Sequence, residues 1–212
     1  MQSPLIVSRL YAIVDAEVLA ARGVALADFA RDLRAAGVTL LQYRDKNGSP
    51  QEVLRAASIL RETMSGSGCR LILNDRADLA VLANFDGVHV GQGDLSPADA
   101  RRVVGPARIV GVSTHTDDQA RIADESCADY IAMGPVFATG TKPDAAAVVG
   151  LEGVRRARAL TRKPLVAIGG ITRANARSVI DAGADSIAVI SALFDAHESP
   201  DQVARDFLAR LR

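Results

Sequence analysis

The sequence predicts an α/β chain folded as a single-domain (β/α)8 TIM barrel over residues 1–212, and three observations predict it. Eight short apolar, β-branched runs recur, amphipathic segments separate them, and no linker or low-complexity break interrupts the series. Near-continuous hydrophobicity suits strands covered on both faces, as in a parallel sheet. Strand-then-helix alternation with right-handed crossovers allows an open doubly wound sheet or a closed barrel. The number eight favours the barrel, as does the lack of a GxGxxG turn after the first strand, where Asp15-Ala16-Glu17 stands.

The predicted strands are LYAIVD from Leu10, TLLQYR from Thr39, RLILND from Arg70 and GVHVG from Gly87. They continue with RIVGVS from Arg108, DYIAMGPV from Asp129, PLVAIGG from Pro164 and SIAVIS from Ser186. The first helix, LADFARDLRAAG, stops at Gly37. Ser49-Pro50-Gln51-Glu52 reads as a capping box with proline at the first helical position. Ser96-Pro97 opens the next clear helix and Gly105-Pro106 closes it. Thr116 opens QARIADES, Thr172 precedes RANARSVIDAG, which ends at Gly183, and Ser199-Pro200-Asp201-Gln202 opens the last helix.

With 49% apolar residues, a chain this long can bury one large core. Its 25 basic and 25 acidic side chains cancel, so no bulk field favours nucleic acid or an anionic membrane. Cys69 and Cys127 lie far apart without a CxxC motif and read as reduced thiols of a cytoplasmic protein. MQSPLIVSRL lacks the basic and apolar regions of a secretory signal, and no run of ~18 apolar residues could span a bilayer. Homo-oligomerisation is left open.

In such a barrel the active site lies at the C-terminal ends of the strands. Those ends carry Asp15; Gln42, Arg44 and Lys46; Asn74 and Asp75; Gln92 and Asp94; Ser113 and His115; Thr139, Thr141 and Lys142; Gly169-Gly170-Ile171-Thr172; and Ser191. The opposite ends carry plain turn residues such as Gly37, Gly87, Asp129 and Pro164. Asp75 and Asp94 close adjacent strands, and two carboxylates without a neighbouring His or Cys suit a hard cation, above all Mg2+. Arg44, Lys46 and Lys142 around the same rim suggest a polyanionic ligand such as a diphosphate. The glycines of IGGIT and the Ile190–Ser191 amides form a second expected anion cup, with Thr139 and Thr141 adding groups from the sixth loop. Neither a Walker A loop nor a GxSxG elbow is present, and His89 within GVHVG reads as a structural histidine.

LQYRDK, LILND, GVHVGQGDL, GVSTHT, DYIAMGPVFATGTK, VAIGGI and VISALF occur in order from about Leu10 to Phe194, and together they resemble the thiamine-phosphate synthases. The resemblance implies that the pyrimidine diphosphate is contacted by Gln42, Tyr43, Arg44, Asp45, Lys46, Asn74, Ser113 and Lys142, among which Lys46, Ser113 and Lys142 act in catalysis. It likewise implies Mg2+ on Asp75 and Asp94, and thiazole phosphate on Thr139, Gly140, Thr141, Gly170, Ile190 and Ser191. Asp45 stands where the family usually has Glu, and Gly93 where an acid often precedes the metal aspartate. A related lineage of thiazole tautomerases shares the phosphate cup but not the full diphosphate apparatus. The alternatives are an isomerase or lyase acting on one phosphorylated molecule, and a non-catalytic sensor of a thiazole or thiamine phosphate.

Overall fold

A computed structural model describes residues 7–140 and 146–212. The elements run β1 (Leu10–Asp15), α1 (Ala16–Arg22), α2 (Leu26–Ala35), β2 (Leu40–Arg44), α3 (Pro50–Thr63), β3 (Arg70–Asn74), α4 (Ala77–Leu82) and β4 (Gly87–Val90). They continue α5 (Pro97–Val104), β5 (Ile109–Thr114), α6 (Asp117–Glu125), β6 (Tyr130–Met133), α7 (Gly150–Leu160), β7 (Leu165–Ile168), α8 (Ala176–Asp181), β8 (Ser186–Val189) and α9 (Pro200–Arg210). A 3-10 turn, Ser191–Leu193, follows β8. The strands form a closed parallel barrel in chain order, sealed where Leu10, Tyr11 and Ala12 of β1 pair with Ile187, Ala188 and Val189 of β8. No helix among the described residues is long and apolar enough to cross a membrane.

Strand alternation divides the apolar residues into two cores. One set, including Leu10, Leu41, Leu73, Val88 and Ile131, packs outward against Phe29, Leu33, Leu60 and Phe207 of the helices. The other fills the barrel itself with Tyr11, Ile13, Leu40, Ile72, Tyr130, Val166 and Ala188. Gly111 makes room for one of the large interior rings, since a Cβ there would lie 2.0 Å from Cζ of Tyr130.

Most helix signals act as the sequence suggests. Ser49 and Ser199 form complete capping boxes, and the Ser96 and Thr116 hydroxyls accept from the amides of Asp99 and Gln119. Two positions depart from expectation. A short helix, α1, precedes the first expected one, because the Asp15 carboxylate turns back to accept from Val18 N at 3.0 Å and caps it. Helix α8 begins at Ala176 with Asn175 as its cap residue, not directly after Thr172; the Asn175 Oδ1 accepts from Thr172 N at 2.8 Å and holds a turn ahead of the helix.

The lower rim also corrects the reading of Asp129 as a plain turn residue. Asp86, Asp129 and Asp185 precede β4, β6 and β8, and each accepts a backbone amide from the preceding strand: Leu71 N at 2.8 Å, Val110 N at 2.7 Å and Leu165 N at 2.8 Å. Their own amides donate back to the carbonyls of the same three residues. Arg70, Arg101 and Arg158 pair with the three carboxylates in turn. Each aspartate therefore pins two neighbouring strands at their entry ends. Asp129→Ala should cost roughly 1–3 kcal/mol, because it leaves the Val110 amide and the Arg101 guanidinium without their carboxylate. Urea denaturation measures it, and a loss below about 0.5 kcal/mol, the range of neutral surface changes, would remove the staple role.

Candidate active site

The upper rim gathers the polar strand ends. From β2, alternation turns Gln42 and Arg44 into the barrel and Tyr43 outward into the helix-facing core. Lys46 follows on the loop, Asn74 and Asp75 close β3, Asp94 lies beyond β4 and Ser113 closes β5. These side chains border one cavity of about 120 Å³.

Three features set its electrostatics. Lys46 Nζ donates to the Asp75 carboxylate, and the Asp75 and Asp94 carboxyls interact with each other. Burial, with the Asp94 charge beside it, raises the Asp75 pKa despite Lys46. For Asp94 burial pushes upward too, but hydrogen bonds from the Asp75 carboxyl and the Gly91 amide (2.8 Å) outweigh it and its pKa falls. Asp75, the more buried of the two, is thus the weaker acid and Asp94 the stronger. Second, Arg44 pairs with the buried Asp15 carboxylate while its own Nε is buried without a partner, a donor awaiting an acceptor. Third, Asp75 is one of two non-glycine residues with positive φ among the described residues, at 62°, a conformation most side chains avoid. Its amide is held by the His89 carbonyl at 2.7 Å.

No group of three or more His, Cys, Asp or Glu among the described residues could hold a metal. Asp75 and Asp94 offer two neighbouring carboxylates at the cavity, and that donor chemistry fits Mg2+, which takes one or two carboxylates and completes its octahedron with water and phosphate oxygens.

A second cavity of about 680 Å³ adjoins the first, and Ser113, His115, Ile168, Ala188 and Ile190 form their common wall. Thr139, Gly140, Gly170, Ile190 and Ser191 all border it, with Arg22 of α1 at its edge. Gly170 sits at φ 64°, and a Cβ there would meet the Ala138 carbonyl at 2.5 Å. Only glycine lets the loop after β7 lie this close to the loop after β6.

The structure thus brings together Gln42, Arg44, Lys46, Asn74, Asp75, Asp94 and Ser113 in one cavity and the glycine-loop residues in the next. Tyr43 and Asp45 do not reach either. The Tyr43 hydroxyl donates to Asp45 at 3.2 Å, and Asp45 Oδ1 accepts from the amides of Asn47 and Gly48, so this pair shapes the loop that carries Lys46. Thr141 and Lys142 lie outside the described residues. Sequence reasoning missed Tyr11 and Tyr130, placed His115 on the rim without a role, and left His89 as a structural residue; His89 is buried but borders the first cavity and bonds Ser113 Oγ at 2.8 Å. The signal was the alternation in GVHVG, which places His89 on the interior face between two outward valines.

Comparison with known proteins follows this geometry. The family model described as thiamine monophosphate synthase matches residues 10–193. A thiamine-phosphate synthase from Koribacter versatilis is 55% identical over 98% of both chains. Another, from Chloroflexus aurantiacus, is 45% identical over 90% of this chain and 87% of its own. A solved thiamine phosphate pyrophosphorylase from Pyrococcus furiosus superposes with a TM-score of 0.85 at 32% identity, covering 96% of this chain and 95% of that one.

The strained aspartate gives a test of the site's energetics. Asp75→Gly relieves the positive φ and the burial of a carboxyl, and loses the ion pair to the exposed Lys46 together with the contact to Asp94. The variant should unfold no more easily than the wild type, or up to about 1 kcal/mol less easily. Thermal unfolding decides, and a destabilisation beyond about 1 kcal/mol would mean that Asp75 is there for stability.

Proposed function

The chain belongs to the thiamine monophosphate synthase family, and from that membership we propose that it joins 4-amino-2-methyl-5-(diphosphooxymethyl)pyrimidine to thiazole phosphate by a Mg2+-assisted dissociative substitution. The C–O bond between the exocyclic methylene and the diphosphate breaks, and pyrophosphate leaves with the electron pair. The thiazole nitrogen then supplies the pair for the new C–N bond, giving thiamine phosphate. The observation that carries this reading is the pairing of two adjoining cavities, one with a diacid and cations, the other lined by glycine loops.

In this reading Lys46 and Arg44 bind the diphosphate. The unpartnered Arg44 Nε supports that role, since a buried donor of this kind suits a phosphate oxygen. Asp75 and Asp94 would hold Mg2+, which when bound neutralises charge growing on the departing pyrophosphate. Lys142 joins these cations by the family resemblance alone. Gln42, Asn74 and Ser113 orient the pyrimidine ring and crowd out water that would otherwise quench a cationic methylene. Thr139, Gly140, Gly170, Ile190 and Ser191, with Thr141, receive the thiazole phosphate. Their cavity's common wall with the first brings the nucleophilic nitrogen beside the methylene, the proximity share of the rate enhancement. A cytoplasmic setting belongs to the same proposal, supported by Cys69 and Cys127 as free thiols, the former with burial pushing its pKa up to about 12.

Pyrophosphate release should require both substrates and stop on chelation by EDTA. Asp94→Ala should lower turnover roughly 10²–10³-fold or more while circular dichroism and the unfolding midpoint stay close to wild type. Near-wild-type rates for this variant in saturating Mg2+ would overturn the metal assignment, and release with the pyrimidine alone would overturn the coupling.

A further inference from the structure

Beneath the first cavity five polar side chains form a continuous hydrogen-bonded line across the barrel. Gln42 Nε2 donates to Tyr11 Oη at 2.9 Å, and Tyr11 Oη meets Tyr130 Oη at 2.9 Å. Tyr130 Oη meets His89 Nδ1 at 2.9 Å, and His89 Nε2 meets Ser113 Oγ at 2.8 Å. Tyr11 and Tyr130 are each 1% exposed, Gln42 3% and His89 7%, so the bonds among them are the main partners of these groups. Burial pushes both phenols well above the ordinary tyrosine range, and each keeps its single proton.

One proton per hydroxyl makes the line directional. With the Gln42 amide donating, Tyr11 accepts and its own proton goes to Tyr130. Tyr130 then donates to His89 Nδ1, which as an acceptor leaves the ring proton on Nε2, and that N–H donates to Ser113. The Ser113 proton is left to point into the cavity. Gln42 Oε1, released from the line, faces the ligand as an acceptor. Reversing any one bond would strand a buried proton or lone pair, unless the Gln42 amide flips and the whole line reverses.

We propose that Tyr11, Tyr130 and His89 are positioning residues that lock Gln42 as an acceptor and Ser113 as a donor, so that the cavity selects an aminopyrimidine over its oxo counterpart. An exocyclic amine gives a hydrogen to Gln42 while the neighbouring ring nitrogen takes one from Ser113. An oxopyrimidine presents a carbonyl and a ring N–H at the same places and needs the opposite sense. The proposal rests on the first cavity being the pyrimidine site. Its substance is the coupling of two ligand contacts through residues of which Tyr11 and Tyr130 belong to the barrel's interior core.

Two variants, Tyr130→Phe and Tyr11→Phe, each remove one hydroxyl and leave the ring in place. The ratio of kcat/KM for the aminopyrimidine diphosphate to that for the oxopyrimidine diphosphate should fall about tenfold in either, the worth of one hydrogen bond, with KM for thiazole phosphate unchanged. A packing defect would lower both pyrimidines alike. In parallel, nitrogen-15 NMR of labelled histidine should show His89 in the wild type as one neutral tautomer protonated on Nε2. Tyr11→Phe, whose lost hydroxyl bonds Tyr130 and Gln42, should give a mixture of tautomers. An unchanged amino-to-oxo ratio in a folded variant overturns the proposal, and so does an unchanged His89 signal in Tyr11→Phe. Failure of the wild type to release pyrophosphate would sink the functional reading instead, and the NMR arm would still decide the coupling.

Discussion

Closure of the sheet between β8 and β1 is the constraint on which the rest of the molecule depends. A parallel sheet joined to itself has no edge, so each strand is held on both sides and its register cannot slip without breaking the ring. Register in turn decides which alternate residues point inward. Gln42 faces the cavity and Tyr43 the helices for that reason alone, although the two are neighbours in the chain. The interior is narrow, so large and small side chains must be matched across strands. The Tyr130 ring occupies the volume that any side chain at Gly111 would need.

The two rims divide the labour. At the entry ends, Asp86, Asp129 and Asp185 tie strand to strand through backbone amides and arginines. Each of these three carboxylates has an arginine and a backbone amide as partners, and nothing about the arrangement calls for a ligand. The exit ends show the opposite character: two neighbouring carboxyls, one with its pKa raised by burial, a buried guanidinium N–H with no acceptor, and an aspartate in left-handed backbone. Stability held at one end permits unfavourable groups to be assembled at the other.

Much of this was legible in the sequence, because the signals were local. Strands announced themselves as buried β-branched runs, and Ser-Pro capping boxes marked α3 and α9 within a residue. The convergence of Asp75, Asp94, Lys46, Asn74 and Ser113 followed from chain order once eight strands were counted, since ends of neighbouring strands must be neighbours in space. Side-chain direction was harder. LQYRDK reads as a block, yet pleating sends Tyr43 away from the cavity, and Asp45 turns back on its own loop. Helix α1 was hidden because its cap, Asp15, also ends a strand. The residues under the cavity were the least visible. Tyr11 and Tyr130 are separated by 119 positions, and an apolar run containing a tyrosine looks like ordinary core until the barrel is closed. The recurrent Asp-x-Val/Ile-x-Val/Met of DGVHV, DYIAM and DSIAV was open to view, but its meaning lies in bonds to the strand before it.

The aromatic floor made by Tyr11 and Tyr130 has a consequence for traffic. Both rings belong to the packed interior below the first cavity, so solvent displaced by a ligand leaves upward, over the rim or by way of the adjoining cavity. Dryness at the bottom is then set by how completely the guest fills the well. A snug occupant expels the last molecules of solvent, and a smaller one leaves them trapped beside it.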